Sequence, residues 1–463
     1  MNKDTLIKNI EKILLSDYEN NINQIGKNDS KKLRKIRENA LSQFIKLGFP
    51  STKEELWRFT DIKKIIENSG RLLQPFTPPK DINSPVEDVF QCDATQLDTY
   101  DIALINGWYP HSLPLMQELP SKGKVGSLYQ AKELFPELID KYYAKYIDYS
   151  DNPFTALNTA FAHDGVFCYF PENSKNKKPV QIVNLASANK ITLTTPFIQT
   201  RNLIIAEKNS DVKIVICEHT LSNNNSFSNS VTEIIVEENA NVELIRIQNQ
   251  NNFGVIISDI QVHQKANSSF TSNTITLNGG LVRNNQNIQL NGKKATANIY
   301  GAYFIDKAQH IDNYTKIEHK VPECNSNELF KGILDEKAEG VFRGMIKVNK
   351  NAQKTNSFQK NNNLLLTSDA QINTMPQLEI YADDVKCNHG ATIGYLDDEE
   401  MFYLLSRGIN KKEARLLLMN AFASEIIEKI SIPVLKGRIS FLVNQRLRGE
   451  LLPCASCALN CNI

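Results

Sequence analysis

Long apolar runs are missing from this 463-residue chain, and so is any imbalance of charge. No stretch approaches the ~18 consecutive apolar residues of a membrane-spanning helix. The opening Met-Asn-Lys-Asp-Thr-Leu-Ile-Lys-Asn-Ile alternates charge and has no apolar core of a secretory signal, so a cytoplasmic location is expected. With 53 Lys and Arg against 52 Asp and Glu, the net charge of +1 supplies no field to hold nucleic acid or an anionic membrane. Cysteine is scarce: eight irregularly spaced thiols do not form a secreted disulfide framework, and a reducing compartment keeps them free. A Gly-x-x-x-x-Gly-Lys-Ser/Thr phosphate loop is also missing, which assigns any nucleotide chemistry to a partner.

What remains is an ordinary globular composition, 41% hydrophobic and 23% charged, long enough for two or three domains. From Lys3 to about residue 68 the apolar spacing is helical: Leu6, Ile10, Ile13 and Leu14 share one face, and Leu33, Ile36, Ala40, Phe44 and Leu47 repeat the theme. Pro50 to Thr60 carries a Ser/Thr-x-x-Glu capping pattern, predicting a turn into a further helix with Trp57 as a packing anchor. Ile102 to Trp108 predicts a short strand, Ser127 to Tyr146 a helix, and Asn152 to Phe161 a short helical bridge. Residues 1–164 are therefore read as a mostly helical N-terminal domain.

At Gly165 the texture changes. Short runs rich in Ile, Val and Thr, such as Val212 to Cys217 and Val242 to Ile247, alternate with Asn- and Ser-containing turns, and helix-length periods are scarce. The turns Asn209-Ser-Asp-Val212, Asn239-Ala-Asn-Val242, Ala266-Asn-Ser-Ser269 and Lys294-Ala-Thr-Ala297 recur about every 27–30 residues. Such a repeat predicts a β-solenoid over 165–394, each coil stacking its apolar interior on the next, with a β-sandwich as the rival. After Tyr395 the helical period returns. Asp397 to Glu400 caps a short helix that closes at Arg407-Gly408, a second starts at Asn410 and stops at Pro433, and a third spans Leu435 to Leu447. These make a C-terminal helical domain, 395–450, followed by a Cys-rich tail, 451–463.

The chemistry-bearing residues cluster late. In Gln377 to His389 the odd positions Tyr381, Asp383, Val385, Cys387 and His389 share one face of an extended chain. A Cys-x-His pair there offers one sulfur and one imidazole nitrogen, a donor set suited to iron, zinc or an iron–sulfur cluster. Two donors do not close a site, so the others must come from elsewhere in the chain or from a partner. In the tail, Cys454, Cys457 and Cys461 form Cys-x2-Cys-x3-Cys, three of the four thiolates of a metal site, with a mobile tail of incidental thiols as the plain alternative. Cys92, Cys168, Cys217 and Cys324 stand alone and read as buried inert thiols; His111, His163, His219, His263, His310 and His319 lack ligand spacing and are assigned no role.

Several segments together carry a family resemblance: Phe330-Lys-Gly-Ile-Leu334, Gly340-Val-Phe-Arg-Gly344, Ala352-Gln-Lys-Thr355, Asn362-Asn-Leu-Leu-Leu366, Pro376 to Cys387, His389-Gly-Ala-Thr392 and Phe402 to Ile409. Upstream, Glu54 to Thr60 and Asn106-Gly107 extend it more weakly. The chain resembles the SufB/SufD family of iron–sulfur cluster assembly subunits. Lys386-Cys-Asn-His389 and Ile430-Ser-Ile-Pro433 look like the SufD branch, since SufB-like chains carry an acidic residue, His and Glu in the former segment.

The resemblance implies a right-handed parallel β-helix core flanked by helical ends, in a scaffold subunit that is not itself an enzyme. It implies pairing with a SufB-like subunit through the β-helices, and docking of a SufC-like ATPase on the C-terminal helices from Asn410 to Leu447. By matching position, His389 resembles the residue implicated at the SufB–SufD interface in nascent cluster formation, with Cys387 its neighbour. The implied cargo is a transient iron–sulfur cluster or iron, with no stably bound cofactor. The rival readings are a polysaccharide-active β-helix enzyme and a stand-alone metal-binding module. Without its partner the chain is either a monomer or a homodimer, the latter because an open solenoid flank can pair with itself.

Overall fold

The computed structural model describes residues 3–63, 66, 97–110, 113–187, 195–221 and 224–451. The N-terminal part opens with α1 (Lys3–Ile25) and α2 (Lys31–Leu47); the Ser30 hydroxyl caps α2 by accepting from the Leu33 N–H. The capping pattern before Trp57 yields a single 3-10 turn, Glu55–Trp57, where Glu54 accepts from the Ser51 N–H. Trp57 is the expected anchor: it is buried, 5.3 Å from the Phe154 ring and 3.9 Å from the Arg283 guanidinium.

Three strands follow, β1 (Tyr100–Ile105), β2 (Met116–Glu118) and β3 (Lys124–Ser127). The helix expected from Ser127 to Tyr146 is instead two, α3 (Leu128–Leu134) and α4 (Pro136–Tyr142), because Pro136 lacks an N–H and its ring clashes with the preceding turn. The bridge is α5 (Pro153–Phe161), capped by Asn152 and buried along its whole length.

From β4 (Val166–Phe170) to β19 (Val385–Gly394) the chain winds as a parallel β-solenoid of about seven turns, bearing out the predicted repeat. Successive strands fall alternately into two sheets. One collects β1, β5 (Val180–Ala186) and every second strand to β19; the other collects β2 to β4 and every second strand to β18 (Gln371–Ile380). The sheets thus reach upstream of Gly165, because β1 pairs in parallel with β5 and β3 pairs antiparallel with β4.

The repeated corner has a backbone cause. Asn209, Asn239 and Asn267 are left-handed, at φ 57°, 57° and 55°, a conformation that asparagine tolerates better than most residues. Asn239 also donates to the Asn209 side chain at 3.0 Å, and Asn209 to that of Asn173 at 2.9 Å. Further on, Lys294, Glu323 and Lys354 hold the same conformation, so the corner persists after the asparagine pattern fades.

Inside, the coils stack in register, and a glycine in one coil can make room for a large side chain in the next. In β13 (Thr296–Ile305), β15 (Asn325–Leu334) and β17 (Thr355–Leu365), the partners Tyr303, Gly332 and Asn363 form one column. The Tyr303 hydroxyl reaches past Gly332 and donates to the Asn363 carbonyl oxygen at 2.5 Å. A Cβ at 332 would lie 2.2 Å from the Tyr303 ring, so only glycine lets it pass.

Both outer faces are covered along most of the solenoid. Phe154 and Trp57 pack with Phe197, Phe227 and Val255 on the ten-stranded sheet. Of the C-terminal helices α6 (Asp398–Ser406), α7 (Lys411–Ile427) and α8 (Pro433–Arg448), the last two cover the nine-stranded sheet, where Ile245, Ile275 and Phe304 pack with Met419, Ile426 and Ile439. The predicted caps hold: Asp397 accepts from the Glu399 and Glu400 N–H groups, and Asn410 from that of Glu413. Pro433 both ends the α7 segment and opens α8 at its first turn.

Gly332→Ala is expected to destabilise the chain by about 1–3 kcal/mol through overpacking against Tyr303. Urea unfolding measures this, and a second change, Tyr303→Leu, should restore part of the loss in the double variant.

Candidate functional site

A solenoid coil is stable because the next coil covers it, and the last coil has no successor in this chain. β18 and β19 are the outer strands of their sheets at the same end. Their side chains are half-buried or exposed where earlier strands are largely buried. Beneath them lies a small separate cluster of Ile346, Val348, Ala352 and Ala382, with Leu378, Val385 and Cys387 packed against it.

The segment expected as one extended strand is broken. β18 ends at Ile380, residues 381–384 turn, and β19 begins at Val385. Tyr381 and Asp383 therefore leave the shared face, because the chain must cross from one sheet to the other at this corner. Val385, Cys387 and His389 keep it: in β19 they are the in-register partners of Thr355, Ser357 and Gln359, whose side chains are buried. Cys387 is half-buried and burial pushes its thiol pKa up, whereas His389 is exposed. The two donors thus share the inward face of an uncovered coil.

Below them run two polar columns that strand alternation did not disclose. Beneath Cys387 come Ser357 and Ser326, whose hydroxyls are 2.6 Å apart, and Ser326 lies 2.9 Å from His319 Nε2 in β14 (His310–His319). Burial holds His319 down at about 4, so its imidazole is neutral. Beneath His389 come Gln359 and Glu328. Gln359 Nε2 donates to Glu328 Oε2 at 2.7 Å, and the Thr315 hydroxyl donates to Glu328 Oε1 at 2.5 Å. Burial pushes Glu328 up to about 7 against these two hydrogen bonds. The sequence signal, in hindsight, is β17 itself: Thr355, Ser357, Gln359, Asn361 and Asn363 are all polar at inward positions.

Cys168, Cys217 and Cys324 are buried, as expected of lone cysteines. Cys92, Cys454, Cys457, Cys461 and His111 lie outside the described residues. Among the described residues no three His, Cys, Asp or Glu side chains converge as a metal site. Cys387 and His389 therefore fit a cluster or iron only as part of a shared ligand set. Nor is any described helix long and apolar enough to cross a membrane.

Comparison with known proteins decides the family. A profile described as the SufBD core domain of the SUF system for FeS cluster assembly matches residues 188–422, and one described as the SufBD protein N-terminal region matches 8–182. The chain belongs to the SufBD family. An iron–sulfur cluster assembly SufBD family protein of Synechocystis sp. is 31% identical over 418 residues, 89% of this chain and 90% of that one. SufD of Escherichia coli is 29% identical over 88% of this chain and 92% of its own length; SufD of Bacillus subtilis is 26% identical over 90% and 94%. SufBD membership agrees with the resemblance read from Pro376 to Thr392.

Glu328 generates a pH-dependent prediction. Between the unfolded carboxyl value of 4.5 and the folded value of about 7, the folded state keeps a proton that the unfolded chain releases. Stability falls as pH rises through that window, and the penalty is complete above it. Glu328→Gln should therefore match the parent near pH 4 and exceed it by up to about 3 kcal/mol near pH 8 in urea unfolding.

Proposed function

We propose that this chain is a non-catalytic scaffold subunit of a SufBCD-type complex for iron–sulfur cluster assembly, working in the cytoplasm. Its open terminal coil pairs with a SufB-like subunit, and its C-terminal helices carry a SufC-like ATPase. The observation that carries the reading is the uncovered end at β18 and β19. Two unpaired sheet edges invite strand pairing, and they flank a face that presents Cys387 and His389. Tyr381, Ile393, Tyr395 and Phe402 leave apolar surface around that end, with Phe402 73% exposed. A cluster or iron held there takes sulfur from Cys387 and nitrogen from His389, and its remaining ligands from the SufB-like subunit.

For the ATPase, the support is the outer surface of α7 and α8. Leu417, Val434 and Phe441 are exposed while Met419, Ile426 and Ile439 grip the solenoid, so the same helices serve as cover and as docking face. ATP-driven association of two SufC-like subunits then shifts these helices and reshapes the paired end. Without a SufB-like subunit, the open edges admit a second copy of this chain, which solution mass of the isolated protein tests. The tail thiols Cys454, Cys457 and Cys461 are proposed as a transient iron hold; Ser at all three, with iron retention by the complex as readout, tests it.

The central experiment co-expresses the chain with SufB-like and SufC-like subunits. Both should copurify with it. His389→Ala should leave fold and copurification unchanged and reduce cluster formation by the complex by about tenfold or more. Undiminished cluster formation by that variant would falsify the role assigned to His389. Polysaccharide cleavage by the purified chain would favour a β-helix enzyme instead, and tight stoichiometric metal binding without partners a stand-alone metal module.

A further inference from the structure

A ligating imidazole is useful only when its other ring nitrogen is held, because that second hydrogen bond fixes ring orientation and tautomer. The column under His389 supplies such a hold. Gln359 is 3% exposed; its Nε2 is spent on Glu328 Oε2, and its Oε1 is buried with no partner among the described residues. An orphaned buried amide oxygen loses its hydrogen bonds to water without replacement, so a donor that reaches it is favoured. Gln359 cannot be turned away cheaply. Glu328 is anchored from the other side by Thr315, and the amide occupies the space left by glycine at 344, where a Cβ would lie 2.1 Å from Gln359 Nε2.

His389 is the in-register partner of Gln359 on the next strand and shares its inward face. It forms no hydrogen bond among the described residues, so rotation about its own side-chain torsions is unhindered by existing bonds. We propose that Gln359, braced by Glu328, is a positioning residue for His389: Gln359 Oε1 accepts one ring N–H and leaves the other ring nitrogen turned outward as the ligand. The inference rests on the reading of His389 as a cluster ligand, and it assigns the column of carboxylate, amide and imidazole a task beyond filling the core.

The test is NMR of the full-length chain carrying 15N-labelled histidine, with His389→Ala identifying the His389 signals among the seven histidines. A slowly exchanging ring N–H is expected for His389. Gln359→Met, which keeps the volume and removes the acceptor, should speed its exchange with water about tenfold, the equivalent of one hydrogen bond. Where Gln359→Met does not fold, Glu328→Gln carries the test, since its amide N–H competes for Gln359 Oε1 and should speed exchange about threefold. Exchange unchanged in the folded variant overturns the proposal. A second readout is iron binding by the complex with its partners, expected to weaken about tenfold in Gln359→Met. The two failures separate cleanly. If His389→Ala abolishes cluster formation while Gln359→Met leaves ring exchange untouched, the ligand reading stands and the positioning role falls. If ring exchange responds but His389→Ala assembles clusters normally, the hydrogen bond is present and the ligand reading falls.

Discussion

The stacking of in-register coils is the constraint on which the rest depends. Parallel strands spaced by one coil place like positions directly above one another, so each inward side chain must be compatible with the ones above and below it. Tyr303 over Gly332 is one solution to that demand, and Gln359 against the bare Gly344 meets the matching demand across to the other sheet. The same rule makes the end special. A coil covered on one side only keeps its shape but leaves its sheet edges and its inward face unspent.

The helices follow from this arrangement. A two-sheet solenoid has two outer faces that would otherwise expose Ile and Phe, and the chain covers one with its N-terminal elements and the other with α7 and α8. Cover stops short of β18 and β19, and α6 has no buried residue at all. The uncovered edges, the apolar residues around them and the only half-buried cysteine described therefore coincide at one end. This coincidence is what supports the pairing proposed for this end of the chain.

Buried charge is handled in more than one way. On the outer face, Arg201 meets Glu233 and Arg283 meets Asp312, so each buried guanidinium has a carboxylate beside it. In the last coils, Glu328 has only neutral neighbours, Thr315 and Gln359, and burial raises its pKa. A carboxyl kept in such a place costs stability near neutral pH, and this one lies two strands beneath His389 in the same inward column.

Sequence alone determined the class of structure. Repeated Asn-containing turns, short Ile- and Val-rich runs and well-signed C-terminal caps are local signals, legible because backbone conformation at Asn209, Asn239 and Asn410 depends on the residue itself. The motif from Pro376 to Thr392 likewise carried the family. Where neighbours in space decide, the reading stopped: Pro136 splitting a helix was visible in principle, but the turn at 381–384 and the columns under Cys387 and His389 were not. Gln359 and Glu328 are 31 residues apart, and Glu328 and His389 farther still. Only the register of three successive coils brings an amide, a carboxylate and an imidazole into one line, and register is set by the packing of the whole stack, not by any segment within it.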